Sequence, residues 1–139
     1  MAKFSQRSKT NLNECHKDLQ HVLNYCIRYF DFSVIEGHRP KEEQNKAFAE
    51  GKSKLKYPKS KHNSKPSMAA DAVPYPIDWK DVNRMRYFAG YVVAVGRMMY
   101  DMGATEHLVR TGFDWDDDTE LKDTRFQDGP HFELYKVKP

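Results

Sequence analysis

Between residues 11 and 30, Leu12, Cys15, Leu19, Val22, Leu23, Cys26, Ile27 and Phe30 recur at steps of three and four. That period places all of them on one side of an α-helix. A helix carrying such a stripe gains its stability by laying it on a sheet or on other helices, so the segment commits the chain to a packed core. The spacing predicts one helix over 11–30, with Asn11 and Glu14 as a capping box. Cys15 and Cys26 lie eleven residues apart on that rod and point in different directions. A disulfide between them is geometrically implausible, and both read as reduced, partly buried thiols. Neither belongs to a CxxC pair, which excludes cysteine-ligated zinc.

The remaining elements decide what the helix packs on. Phe32 to Ile35 is rich in β-branched and aromatic residues and reads as a strand. Pro40 opens a second helix, with Glu42 and Glu43 in its first turn and Gly51 as its stop. Residues 52–67 have no apolar period and carry Lys52, Lys54, Lys56, Lys59, Lys61 and Lys65, so they form a long loop. Residues 69–73, AADAV, read as a short strand that packs closely. Asp81 caps a third helix running to about Met102, with Phe88, Val92, Val95, Met98, Met99 and Met102 on its buried face and Gly103 at its end. Leu108 to Thr111 and residues 131–137 complete the strands, separated by an acidic loop at 114–124. This order predicts an α+β fold, with a small, mostly antiparallel sheet backed by helices. At 139 residues, the expectation is a single domain over 1–139.

Composition narrows the function classes. With 39% hydrophobic and 31% charged residues, the chain is globular rather than disordered. No run approaches the ~20 apolar residues of a membrane span, and the basic start MAKFSQRSKT lacks the apolar stretch of a secretory signal. The expectation is therefore no stable membrane insertion. A net charge of +3 suits any anionic partner and selects none.

Two of the six histidines stand out. His16 and His21 fall on the first helix, His38 in a turn and His107 at a junction. His62 lies in the Lys-rich loop, and Asp71 lies between small residues on the strand that follows. A buried carboxylate is costly unless paired, hydrogen-bonded or metal-bound. His131 opens the last strand after an Asp-Gly-Pro turn. There Glu133 shares its face, while Phe132 and Leu134 point to the core. Two histidines and one carboxylate would make a catalytic zinc site with an open position, and Asp128, three residues before His131, would serve as general base. Spacing alone favours the plainer reading, in which the histidines are hydrogen-bonded surface residues and the aspartate caps a neighbouring turn.

The segments SKHNSKPSMAADAVPYP, DGPHFEL, EGHRPKEEQ and RTGFDWDDD, in family order from about residue 33 to 135, resemble blocks of the peptidase M15 family. These are VanY- and VanX-like zinc peptidases with a Hedgehog/DD-peptidase-like fold, and the resemblance is to their phage L-alanyl-D-glutamate endopeptidase branch. The resemblance implies zinc on His62, Asp71 and His131. It implies Asp128 as the catalytic acid/base, and Arg39 as the cation that polarises the scissile carbonyl or holds a substrate carboxylate. Gln44, in the same block as Arg39, is implied at the substrate. Two features depart from the family pattern. The step from His62 to Asp71 is nine rather than seven, and the catalytic acid is Asp rather than the Glu typical of the family's dipeptidases.

The implied function is a zinc-dependent peptidoglycan endolysin cutting the L-Ala–D-Glu bond of the stem peptide. It would be made in the cytoplasm without a signal peptide, released by a holin-type partner, and act on the host cell wall in the periplasm as a monomer that binds no nucleic acid. A D-alanyl-D-alanine carboxypeptidase of the same family is the near alternative. A metal-dependent nuclease or nucleic-acid module, with Tyr57 and Tyr75 stacking beside the lysines, is the distant one. Asp114, Asp116, Asp118 and Glu120 alternate like a calcium loop. The EF-hand pattern needs Gly and Glu where Thr119 and Arg125 stand, so the segment reads as a solvated acidic loop.

Overall fold

The computed structural model describes residues 2–137. Its strands are β1 (Phe32–Glu36), β2 (Ala69–Pro74), β3 (Leu108–Gly112) and β4 (Asp128–Tyr135). They pair in the order β1-β2-β4-β3, with every pairing antiparallel. The helices are α1 (Gln6–Asn13), α2 (Lys17–Cys26), α3 (Lys41–Ala49) and α4 (Val82–Asp101), with a short 3-10 turn at Lys61–Asn63. The expected α+β arrangement of a small antiparallel sheet backed by helices is the one found. α4 lies on β3, β4 and β2 and against α2, while α1 packs on β1. Between these layers Leu19, Leu23, Val34, Phe88, Val92, Phe132 and Leu134 form the centre of the core.

The apolar stripe at 12–27 is buried as its period requires, yet the single helix expected over 11–30 is two. The break at Glu14–His16 has a tertiary cause. His16 N–H donates to Ser67 O at 2.8 Å, and Ser67 N–H donates to Glu14 O at 2.9 Å. These bonds divert backbone groups that a continuous helix would need. The capping box at Asn11 is absent too. Ser5 caps α1, accepting from Ser8 N–H at 3.1 Å, while Asn11 Nδ2 donates across to Val34 O at 2.9 Å. His16 caps α2 by accepting Asp18 N–H on Nδ1. Side-chain periodicity survives a short interruption, and so does not reveal it. Cys15 and Cys26 are both free and buried.

On α4, Asp81 caps as expected, accepting Arg84 N–H at 3.1 Å. The buried face, however, is Met85, Phe88, Ala89, Val92, Val93, Val95 and Gly96. Met98 and Met102 are exposed, at 39% and 73%, while Met99 between them packs half-buried against the core. His107, given no role from sequence, donates from Nδ1 to the buried Asp18 at 2.8 Å, and Asp18 also accepts Glu106 N–H at 3.0 Å. The pair ties the start of α2 to the entrance of β3.

β4 begins at Asp128, so the Asp-Gly-Pro segment expected as a turn is already strand. Gly112 pairs with Asp128 where the β3–β4 register shifts. A Cβ at Gly112 would lie 2.0 Å from the Asp128 carbonyl oxygen, so only glycine lets the two backbones approach. Gly112→Ala is expected to cost about 1–3 kcal/mol of stability as an overpacked contact, read as a lower thermal midpoint. It would also shift Asp128.

Candidate active site

β2 and β4 are direct neighbours, with Asp71 opposite His131. The 3-10 turn at Lys61–Asn63 swings His62 against both. Ser60 fixes that turn by accepting His62 N–H, and the Asn63 side chain accepts Ser60 N–H in return. His62 Nε2 stands 3.1 Å from Asp71 Oδ1 and 3.2 Å from His131 Nδ1, and His131 Nδ1 stands 3.5 Å from Asp71 Oδ1. All three residues are buried.

The outer nitrogen of each ring is committed. His62 Nδ1 donates to Gly37 O at 2.7 Å, and His131 Nε2 donates to Glu133 Oε1 at 2.8 Å. Each acceptor is oxygen without a proton, so the ring nitrogen must carry it. The inner nitrogens, His62 Nε2 and His131 Nδ1, therefore present lone pairs to each other and to the Asp71 carboxylate. Three converging lone pairs require a proton or a cation between them. Burial works against a charged imidazole, but hydrogen bonds to Asp71 and Glu133 outweigh it and push His131 up to about 9. Burial alone would raise Asp71. A proton held between it and the two neighbouring imidazoles, His62 first and then His131, instead keeps it well below the usual carboxylate range.

The donor set fits zinc. Bonds of ~2.0–2.2 Å at tetrahedral angles put ligand atoms roughly 3.3–3.6 Å apart, and the observed 3.1, 3.2 and 3.5 Å lie within that range or just under it. Three protein ligands leave a fourth position for water or substrate.

That position faces a cleft of about 360 Å³, whose wall includes Arg39, Lys61, Arg110, Trp115, Phe126 and Asp128. Asp128 stands at this wall, half-buried. Burial, and then the negative charge of Asp71, raise its carboxyl above the ordinary value. Arg39 is braced rather than loose. It pairs with Glu36, donates from Nη1 to Gln44 Oε1 at 3.0 Å, and sets Nη2 3.7 Å from Asp71 Oδ2.

Gln44, expected at the substrate, does not line the cleft. Its side chain is fully buried. Oε1 accepts from Arg39 and Asn63, while Nε2 donates to Ser53 Oγ and Leu55 O. It joins α3, the cleft-edge loop and the turn that carries His62. Gln44→Ala is expected to destabilise by about 1–3 kcal/mol for each polar partner left unsatisfied, measurable by chemical denaturation.

Sequence reasoning assigned no role to Trp115, although it lies in the RTGFDWDDD block. Its ring sits 5.1 Å from the His131 ring, and its Nε1–H donates to Phe126 O at 2.6 Å. The acidic loop is not merely solvated. Asp114 is buried and accepts Thr119 N–H at 2.9 Å, while Asp117 pairs with Arg97 at 2.7 Å and with Tyr135.

A buried His/Asp/His donor set with an open side, a carboxylate beside it and a cationic cleft form the arrangement of a hydrolytic metal centre. Comparison with known families matches residues 1–135 to the phage L-alanyl-D-glutamate peptidases. The chain belongs to this family and is a peptidase. Among solved structures, the Serratia marcescens L-Ala D-Glu endopeptidase ChiX is similar, with 28% identity and a TM-score of 0.71 over 96% of this chain and 90% of that one. No curated protein matches. Among the described residues, no helix is long and apolar enough to cross a membrane.

Proposed function

We propose that this chain is a zinc-dependent endopeptidase that hydrolyses the L-Ala–D-Glu bond of the peptidoglycan stem peptide. The observation that carries the reading is the set of three mutually facing lone pairs on His62, Asp71 and His131 at 3.1–3.5 Å. Family membership and the likeness to an L-Ala D-Glu endopeptidase support the choice of bond.

His62 Nε2, Asp71 Oδ1 and His131 Nδ1 would hold the ion. When bound, zinc supplies the Lewis acidity that makes water nucleophilic near neutral pH. Asp128 accepts the proton of the attacking water and returns it to the leaving amine, a role that suits a carboxyl raised by burial. Arg39 carries five N–H donors, and its contacts with Glu36, Gln44 and Asp71 leave donors for a substrate carboxylate or the developing oxyanion. Lys61 and Arg110 add positive charge at the cleft wall, which suits a stem peptide bearing free carboxylates. Trp115 and Phe126 supply its apolar side.

The rest of the proposal is one peptidase domain over 1–139, action on the wall as a monomer, and holin-dependent release. The test is digestion of purified peptidoglycan followed by mass spectrometry. New amino-terminal D-Glu is expected. Release of terminal D-Ala alone would overturn the choice of bond in favour of a carboxypeptidase.

A further inference from the structure

We propose that Glu133, anchored by Arg110, is the positioning residue that makes His131 present Nδ1 to the metal. The inference rests on the zinc reading above. A strand-borne imidazole can turn about its outer torsion, and the turn would replace one ring edge by the other. A partner at the far nitrogen is what selects the ligating atom.

The Glu133 carboxylate divides its oxygens between two tasks. Oε1 accepts His131 Nε2–H at 2.8 Å. Oε2 accepts Arg110 Nε–H at 2.9 Å and Nη2–H at 2.6 Å, with Lys61 Nζ at 3.5 Å. The residue is buried, so its negative charge depends on these partners. Sheet geometry builds the unit. Residues 131 and 133 share a face of β4, and Arg110 is directly opposite Glu133 on β3. Arg110 is tied in turn by Nη1 to Trp115 O at 3.1 Å, and the Trp115 ring lies beside the His131 ring. One cross-strand group thus fixes both the proton and the plane of a single ligand. An ion pair serving stability alone has no need to aim its second oxygen at that ring N–H.

The test uses the full chain with zinc as the only added ligand. Competition with a chromophoric chelator gives the affinity, and two-bond proton–nitrogen spectra give the His131 tautomer. Glu133→Ala is expected to raise the zinc Kd about 10–100-fold, the usual range for loss of such a partner. Glu133→Gln keeps an acceptor and should show a smaller rise. The zinc-loaded wild type should carry the His131 proton on Nε2, and that signal should lose its definition in Glu133→Ala. A Kd unchanged in both variants, or a His131 proton on Nδ1 in the loaded wild type, would overturn the inference. Equal losses in both variants with unchanged His131 signals would also overturn it, as a general structural effect. Should Glu133→Ala not fold, Glu133→Gln and the wild-type tautomer decide. Failure of the zinc reading itself looks different, because the wild type would then hold no zinc that His62→Ala removes.

Discussion

Asp128→Asn keeps one zinc per chain and loses ~10²–10⁴-fold in kcat, the range expected when a positioned proton-transfer group is removed. Asn matches Asp in size and can keep the fold of β4, but it cannot take a proton from water. Zinc content by elemental analysis and turnover on a stem-peptide substrate are the two measurements. A parallel loss of zinc would mean that Asp128 holds the site together rather than acting on the substrate. The pH profile gives an independent check. Burial, followed by the charge of Asp71, raises the Asp128 carboxyl above its ordinary value, ~3.9 for a free aspartate. Only the ionised form accepts the proton, so kcat should fall as pH drops through that raised value. The wild type should lose activity at a pH where an ordinary carboxylate is still ionised, and Asp128→Asn should lose that limb of the profile.

His62→Ala is the second large effect. The side chain is buried and supplies one of three donors, and its Nδ1–H is the partner of Gly37 O. Truncation leaves a two-donor site and a cavity, with the Gly37 carbonyl held only by the longer bond from the Ser67 hydroxyl at 3.3 Å. Zinc stoichiometry should fall far below one and activity should reach background. Thermal unfolding separates metal loss from damage to the fold. A ligand at 100 times its Kd stabilises by ~2.7 kcal/mol, so the wild-type midpoint should rise on adding zinc while that of His62→Ala stays put. A variant that still binds zinc stoichiometrically would remove His62 from the ligand set.

Much of this site was legible in the chain because the relevant signals are local. The alternation HFEL places His131 and Glu133 on one face and Phe132 and Leu134 on the other; all four are buried, the second pair in the apolar core and the first pair hydrogen-bonded to each other at the site. Asp71 among small residues signalled a close-packed strand, and β2 is buried along its whole length. Gln44 was misplaced for a different reason. Its motif position beside Arg39 says that the two act together, but not which of them faces the cleft. That depends on how α3 packs on the loop after it, where Ser53 and Leu55 take both amide hydrogens.

The candidate ligands came from residue type and from the family resemblance. Period and turn residues by themselves determined the α+β class and, apart from the break in the first helix, the order of helices and strands, because these follow from side-chain direction along one element. They did not determine that His62, Asp71 and His131 meet, that the first helix breaks at Glu14–His16, or that Arg110 lies across from Glu133. Each of these is a contact between segments far apart in the chain, set by strand register and by backbone bonds such as Ser67 to Glu14 and His16. Hydrophobic patterning specifies which face of an element turns inward. Only packing the elements together decides which inward-turned polar groups arrive at the same point.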